Sequence, residues 1–501
     1  MKYNIFNSIV SWSIKKRIDQ INDFMSKPVE TQSEVLRNLI QKAKDTKWGR
    51  KYNYEKITNY NEFKKNVPTQ SYEDVAPYIK KIKEGHNNIL WPGQVSFFAK
   101  SSGTTNDRSK FIPITNASLH ESHLKAGKDM LSIYMNLFPK STIFHGKSLM
   151  IGGSKSLDKE RNYTEGDLSS ILISNLPIWT TFMRTPSINT ALMSDWEEKM
   201  EKMAHESIKQ NVTSISGVPS WTMVLLRKVL EKSGKKYITQ VWPKLELYMH
   251  GGVSMTPYRK EFDEIIGGNI NYLEIYNASE GFFGIQNNLN EQNLLLMLDY
   301  GIFYEFIPIH NQKEQEEKII SLKDVKKNVN YSMVISTNGG LWRYKIGDTI
   351  QFESLNPYKI KISGRTKHFI NTFGEEVMVS NTDLAIQKAC EKTNSKINDY
   401  TAAPKFLNNS SGCHEWIIDF KITPKNQDIF AKILDKELRN LNSDYDAKRH
   451  KDILLKPPII HFCENNFFYN WLKKNKKIGG QNKVPRLSNN REKIEELLKF
   501  L

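Results

Sequence analysis

Apolar residues recur at helical spacing from the start of the chain to about residue 90, so the first part reads as a run of amphipathic helices. In the first of them Ile5, Ile9, Trp12 and Ile18 share a face, and Lys15, Lys16 and Arg17 follow the apolar part. That order is wrong for a secretory signal, whose basic residues come first. Docking on the core is the expectation; rest on a membrane surface is the alternative. After the turn Trp91-Pro92-Gly93 the spacing changes to that of a strand over 95–100, then a loop of small residues and a second strand over 110–114. Leu124, Leu131, Met135 and Phe138 predict a helix over 117–137. Short strands near Tyr248 and over 272–276, 301–307, 331–336 and 341–346 alternate with helices, and Asn338-Gly339-Gly340 marks a hairpin.

This is an α/β pattern with large mixed sheets. Beyond Gly364 it becomes α+β, with strands near 416–422 and 459–463 and helices near 428–441 and 491–500. Two domains are therefore expected, a large one over 1–364 and a small one over 365–501.

Composition narrows the function. The 501 residues, 39% apolar and 11% aromatic, can bury a sizeable core. Lys and Arg number 72 against 55 Asp and Glu, and a net +17 raises nucleic acid as a partner. The basic residues are dispersed and mostly Lys, and the densest run, Lys473-Lys474-Asn475-Lys476-Lys477, reads as a solvated face, so no nucleic-acid partner is expected. Cys390, Cys413 and Cys463 are too few and too scattered for a disulfide framework or a structural zinc, which suits the reducing cytoplasm. No run of 18 apolar residues is present. His120 and His123 stand at i, i+3 on a predicted helix, a spacing read as surface or core rather than metal-binding.

Five segments carry candidate chemistry. Ser101-Ser102-Gly103-Thr104-Thr105-Asn106-Asp107-Arg108-Ser109-Lys110 offers converging backbone N–H groups, hydroxyls and a cation to an anion. It is not a Walker A loop, because strand-like Phe111-Ile112-Pro113-Ile114 follows it; a phosphate loop between two strands and a plain polar hairpin turn remain. Tyr272-Leu273-Glu274-Ile275-Tyr276 leads into Asn277-Ala278-Ser279-Glu280-Gly281, placing a carboxylate past a strand end, where α/β sheets bind ligands and where Mg²⁺ on phosphates takes one. Asp348, in Arg343-Tyr344-Lys345-Ile346-Gly347-Asp348 at the end of the hairpin's second strand, has two oxygens for adjacent ribose hydroxyls. Gly364-Arg365 through Phe373-Gly374-Glu375 lies at the expected boundary. Gly479-Gly480-Gln481-Asn482-Lys483-Val484-Pro485-Arg486 presents a lysine that can reach a transferring phosphate.

In that order the segments resemble the adenylate-forming superfamily, and in form they resemble the auxin-responsive Gretchen Hagen family of acyl-acid amido synthetases, including its bacterial members. The likeness extends to Asn442-Ser443-Asp444-Tyr445 with Lys448-Arg449 and covers nearly the whole chain. It implies a large N-terminal domain of mixed sheets packed with helices and a small mobile C-terminal domain. Ser101, Ser102, Gly103, Thr104 and Thr105 would cradle ATP's phosphates, with Lys110 closing the motif. Ser279 and Glu280 would sit by the α-phosphate, Glu280 holding Mg²⁺. Gly251, Gly252, Asn277 and Ala278 would line the adenine pocket. Asp348 would bind ribose with Tyr344 nearby, Arg365 would lie at the hinge, and Lys483 would reach the α-phosphate. Asp107 stands where plant members carry glycine; it is expected to point outward, offset by Arg108.

The implied reaction is ATP-dependent adenylation of a small carboxylic acid, releasing pyrophosphate, then acyl transfer to an amine, an amino acid by resemblance. The alternatives are an acyl-CoA ligase, with coenzyme A as acceptor, and a non-catalytic nucleotide-binding protein. A monomer or weak dimer is expected. For the acyl pocket, Ile178, Trp179, Phe182 and Met183, or Trp221 and Met223, are candidates, but such clusters are expected to be plain core, and no substrate residue is assigned.

Overall fold

The computed structural model of the chain describes residues 2–101, 110–153, 155–158, 163–252, 255, 258–309, 318–365, 369–370, 375, 377–407, 412–449, 455–475 and 484–501. The first helix, Lys2–Ser26, is docked as expected: Ile18 packs on the core, and Ile21 and Phe24 are buried in it. The side chains of Ile5, Ile9 and Trp12 lie outside the described residues. Arg17 anchors the helix, its Nε donating to Asp129 and its other nitrogens to Asp299 at 2.6 and 2.9 Å. The next helix, Pro28–Ala43, is pinned by Gln32, whose buried amide donates to the Leu298 and Ile302 carbonyls and accepts from Tyr304 N. One residue thus satisfies three buried backbone groups, which would otherwise each cost about 1–3 kcal/mol.

These helices cover a twelve-stranded mixed sheet. Its antiparallel half runs Ile320–Ser321, Ile302–Pro308, Asn330–Thr337, Tyr344–Leu355, Tyr358–Arg365, Leu294–Leu296, Gly281–Ile285 and Asn271–Ala278. From Asn271–Ala278 onward pairing is parallel, through Leu247–Gly251, Val212–Ser216, Lys147–Met150 and Arg184–Thr185. The pleat divides the parallel half between two cores. Leu247, Met249, Leu273 and Ile275 face the side holding Ile133 and Tyr134, whereas Tyr248 and Tyr272 face Leu226 and Phe262. A smaller sheet, ordered Lys110–Ile114, Phe97–Ser101, Tyr163–Gly166 and Lys155–Asp158, flanks this body.

Towards the C-terminus Lys396–Phe406, Gly412–Ile422 and Ile459–Cys463 form a three-stranded sheet. Helices Val379–Thr393 and Gln427–Leu441 cover one face, and Phe467–Lys474 with Glu492–Leu498 the other. The fold class is thus the expected α/β with mixed sheets and a C-terminal α+β unit. The strands Lys110–Ile114 and Ile459–Cys463 fall where the pattern puts them. No helix among the described residues is long and apolar enough to cross a membrane.

Three expectations need correction. The helix over 117–137 opens with a π-helical stretch, Ser118–Leu124, before the α-helix Lys125–Leu137. The hairpin's second strand starts at Tyr344 and runs to Leu355, so Asp348 lies inside it rather than at its end. The delay is due to Arg343, which sits at φ 42, outside the strand region. Ile178 and Phe182, expected to be core, are 86% and 80% exposed on a short 3₁₀ helix; that single turn presents them outward.

Arg343 is a knot between layers. Its guanidinium meets Glu305 through two bonds of 2.8 Å and donates to the Lys64 and Val67 carbonyls at 2.9 and 2.6 Å. Both partners of the pair are almost wholly buried. Arg343→Met leaves Glu305 buried without its partner, so the expected loss is about 3–5 kcal/mol in urea unfolding, with a smaller loss for Glu305→Gln.

Candidate functional site

The parallel and antiparallel halves of the large sheet meet at Asn271–Ala278, and a cavity of about 2690 Å³ opens there, between the sheet and the C-terminal α+β unit. It is lined by Gly251, Gly252, Asn277, Ala278, Ser279, Glu280 and Asp348 together. Three separate stretches of sequence therefore converge on one space.

The local geometry explains the residue types. A Cβ on Gly251 would lie 2.5 Å from the Ile275 carbonyl oxygen, so only glycine fits between the strands, and Gly252 has φ 80. The strand Asn271–Ala278 turns directly into Gly281–Ile285, leaving Ser279 and Glu280 at the tip of a tight antiparallel connection. Asp348 is buried and accepts a 2.7 Å hydrogen bond from the Tyr276 hydroxyl. Gly347, at φ 87, precedes it, and Arg365 is its partner across the neighbouring strand.

The loop predicted to hold phosphate falls largely outside the described residues: Ser102, Gly103, Thr104 and Thr105 are not among them, nor is Lys483. The base of the loop is described, with Ser101 opposite Lys110 in an antiparallel pair. Tyr72 braces this base. Its hydroxyl accepts from Phe111 N at 2.8 Å, and Lys110 Nζ lies 5.4 Å from its ring centre. Burial raises the Tyr72 pKa above the ordinary phenol value; the Phe111 N–H opposes the shift, and Glu73 and Glu280 add to it. Lys110 and Tyr344 do not line the cavity; Tyr344 is fully buried in the sheet. The side chain of Arg365 is outside the described set. Of the Gly479–Arg486 stretch, Val484, Pro485 and Arg486 line the cavity directly after Lys483.

Other motif residues serve structure instead. Tyr445 and Arg449 both bond Asp435 inside the C-terminal unit, and Glu375 meets buried His414 at 2.9 Å. Arg486 is held by Asp383 and lies over the Tyr400 ring. The unit is tied to the rest of the chain through Lys396 on Glu264, Lys421 on Glu261 and Lys473 on Glu197.

The side of the cavity facing the helix Lys125–Leu137 is apolar, with Leu124, Met130, Leu131, Phe144, Leu172 and Phe282. His120 and His123 lie on it. Burial lowers His123 to about 4, so this ring is neutral at physiological pH. Met183, Trp221 and Met223 line the cavity; the Trp179 side chain is not described.

Sequence reasoning passed over Glu274, Tyr276 and Arg184. Glu274 lines the cavity, beside Gln286 and in register with His250 on the next strand. Its only sequence signal is a charge in an otherwise apolar strand. Burial raises it to about 7, a shift that Lys361 partly opposes.

Models of the GH3 family N-terminal, central and C-terminal domains match residues 17–270, 295–365 and 380–492. Among curated relatives, the indole-3-acetic acid-amido synthetase GH3.3 of Arabidopsis thaliana is 22% identical over 513 residues, spanning 87% of this chain and 85% of its own. The jasmonoyl–L-amino acid synthetase JAR4 of Nicotiana attenuata is 23% identical over 65% of this chain and 67% of its own. Among solved structures, the AtGH3.15 acyl acid amido synthetase in complex with 2,4-DB matches with TM-score 0.79 at 18% identity, over 97% of this chain and 96% of that one. A 2-hydroxyisobutyryl-CoA ligase bound to 2-HIB-AMP matches with TM-score 0.57 at 11% identity, over 93% and 90%. At these identities the structures speak for the fold.

The raised Glu274 gives a pH signature. The folded chain holds a proton that the unfolded chain releases near 4.5, so this group's contribution is full below 4.5 and is lost as pH rises through about 7. Glu274→Gln is expected to remove that slope and to be more stable than wild type at pH 8, by at most about 3 kcal/mol. Urea unfolding from pH 4.5 to 8 measures it.

Proposed function

The chain belongs to the GH3 family, and we propose that it is an ATP-dependent acyl-acid amido synthetase, a ligase that adenylates a small carboxylic acid and passes the acyl group to an amino acid. The convergence of Gly251–Gly252, Asn277–Glu280 and Asp348 on one cavity carries this reading.

A free carboxylate is a poor acyl donor, because its leaving group would be oxide. Attack of its oxygen on the α-phosphorus of ATP displaces pyrophosphate and makes AMP the leaving group. The backbone around Gly251, Gly252, Asn277 and Ala278 would hold adenine, and Asp348, oriented by Tyr276, would accept from ribose hydroxyls. Ser101, Ser102, Gly103, Thr104 and Thr105 would cradle the phosphates, with Lys110 at the loop's end. Lys483 would bring a cation to the α-phosphate as charge shifts there. Glu280, partly buried on the cavity wall, is a fitting carboxylate for Mg²⁺, which binds phosphates through one or two such groups. Bound there, the ion would neutralise phosphate charge. An amine then attacks the acyl carbon, and AMP departs.

The two half-reactions need different groups at one centre. We assign 1–364 to a nucleotide- and acyl-binding domain and 365–501 to a cap that moves between them, with Arg365 at the hinge. Net charges of +10 and +7 on these parts suit an anionic nucleotide. Three free cysteines and a need for ATP fit the cytoplasm. Transfer to coenzyme A uses the same first step and is the competing reading.

Acid-dependent ATP–pyrophosphate exchange over a panel of carboxylic acids, followed by mass analysis of products with amino acids or coenzyme A, tests the proposal. Exchange and an amide are expected. A thioester as product would sink the amide reading, and absence of exchange with every acid would favour a nucleotide-binding protein. Glu280→Ala and Lys483→Ala should each cut exchange by about 100-fold or more while circular dichroism stays native. Asp348→Asn should raise the KM for ATP about 10-fold.

A further inference from the structure

At the far edge of the parallel half-sheet a buried cation faces the cavity without an ion-pair partner among the described residues. Arg184 opens the edge strand Arg184–Thr185, which pairs in parallel with Lys147–Met150 so that Ser148 stands opposite Arg184. Partners in such a pair project to the same face. Arg184 is only 8% exposed, and among the described residues its guanidinium makes no hydrogen bond or ion pair. Its Nε is buried without a partner, and so is the neighbouring Ser148 Oγ. Both residues line the large cavity. Glu206, which borders a smaller cavity of about 410 Å³ that Arg184 also touches, is occupied by Ser187 and Thr190.

A guanidinium nitrogen buried without an acceptor is unfavourable, and burial pulls this group's pKa down. A buried donor left open towards a cavity is a place where a ligand can supply the acceptor. We propose that Arg184 and Ser148 form a carboxylate-binding subsite for a reactant of the amide-forming reaction. The planar guanidinium offers two parallel N–H donors to one carboxylate, and the serine hydroxyl a third. Four strand spacings, about 19 Å, separate Arg184–Thr185 from Asn271–Ala278. The group held at Arg184 is therefore well away from the strand assigned to the nucleobase. It is carried by one of the other two reactants, as the α-carboxylate of the acceptor amino acid or as a second carboxylate on the acid.

This inference rests on the reading above, and its test separates the two. Wild type and Arg184→Gln are compared in pyrophosphate exchange with matched mono- and dicarboxylic acids. They are compared again in amide formation with an amino acid and with its carboxamide. The expected result is a 10–100-fold loss in kcat/KM for the carboxylate-bearing member of one pair, with little loss for its neutral partner. A loss confined to amide formation assigns the site to the amino acid, and one confined to exchange assigns it to a diacid. Arg184→Lys should recover part of the loss, and Ser148→Ala should show the same preference more weakly. Equal loss for charged and neutral partners, a rise in the KM for ATP alone, or no change would overturn the subsite while leaving the amido synthetase standing. Absence of wild-type exchange with every acid would overturn the parent reading, and the subsite with it.

Discussion

The buried Arg343–Glu305 pair decides where the rest of the site falls. Arg343 leaves the strand Asn330–Thr337 behind, takes a left-handed backbone conformation, and spends its donors on Glu305 and two carbonyls of the helical N-terminal layer. Its own carbonyl accepts from Gln70 N, which locks that layer to the start of Tyr344–Leu355. The strand then has no freedom of register, and Asp348 is delivered beside Tyr276 at the cavity. Hydrophobic replacements of both partners together would hold the layers as well; they would not choose one register over the next.

The cavity is shared between two folded units, and the contacts across it differ in kind. Within the large unit the site is built on strands, glycines and buried hydrogen bonds. Between the units Lys396, Lys421 and Lys473 reach acidic partners on helices Arg259–Ile266 and Trp196–Ile208. The more exposed of these, Lys396–Glu264 and Lys473–Glu197, gain little and are screened by salt. They can be exchanged at small cost, which is the property an interface needs if one unit is to turn against the other.

Much of this was legible in the chain because the informative residues are local. The strand ends, the Ser279–Glu280 turn, the glycine pair and the order of the motifs all lie within short windows, where periodicity and turn chemistry speak directly. What was not legible depends on register across the sheet. Arg184 and Ser148 become neighbours only once the edge strand Arg184–Thr185 pairs with Lys147–Met150, and nothing near either in sequence announces it. Glu274 reads as a charge on a strand until its burial is known. Ile178 and Phe182 look like core by composition alone; a single 3₁₀ turn presents them outward. Arg343 carries no sequence mark of positive φ, so the hairpin strand was begun too early.

The change from antiparallel to parallel pairing at Asn271–Ala278 bears on how the molecule is made. Antiparallel neighbours close through short turns, whereas each parallel neighbour waits for a crossover, and distant pairings form slowly. The antiparallel half is not wholly local either, since Leu294–Leu296 finds its outer partner only in Tyr358–Arg365. On the ribosome, a chain that ends before Tyr358 therefore lacks both the strand opposite Asp348 and the strand that joins the outer antiparallel strands to the rest of the sheet. A nascent or broken chain therefore lacks part of the proposed nucleotide site, and activity of the kind proposed must await the finished sheet.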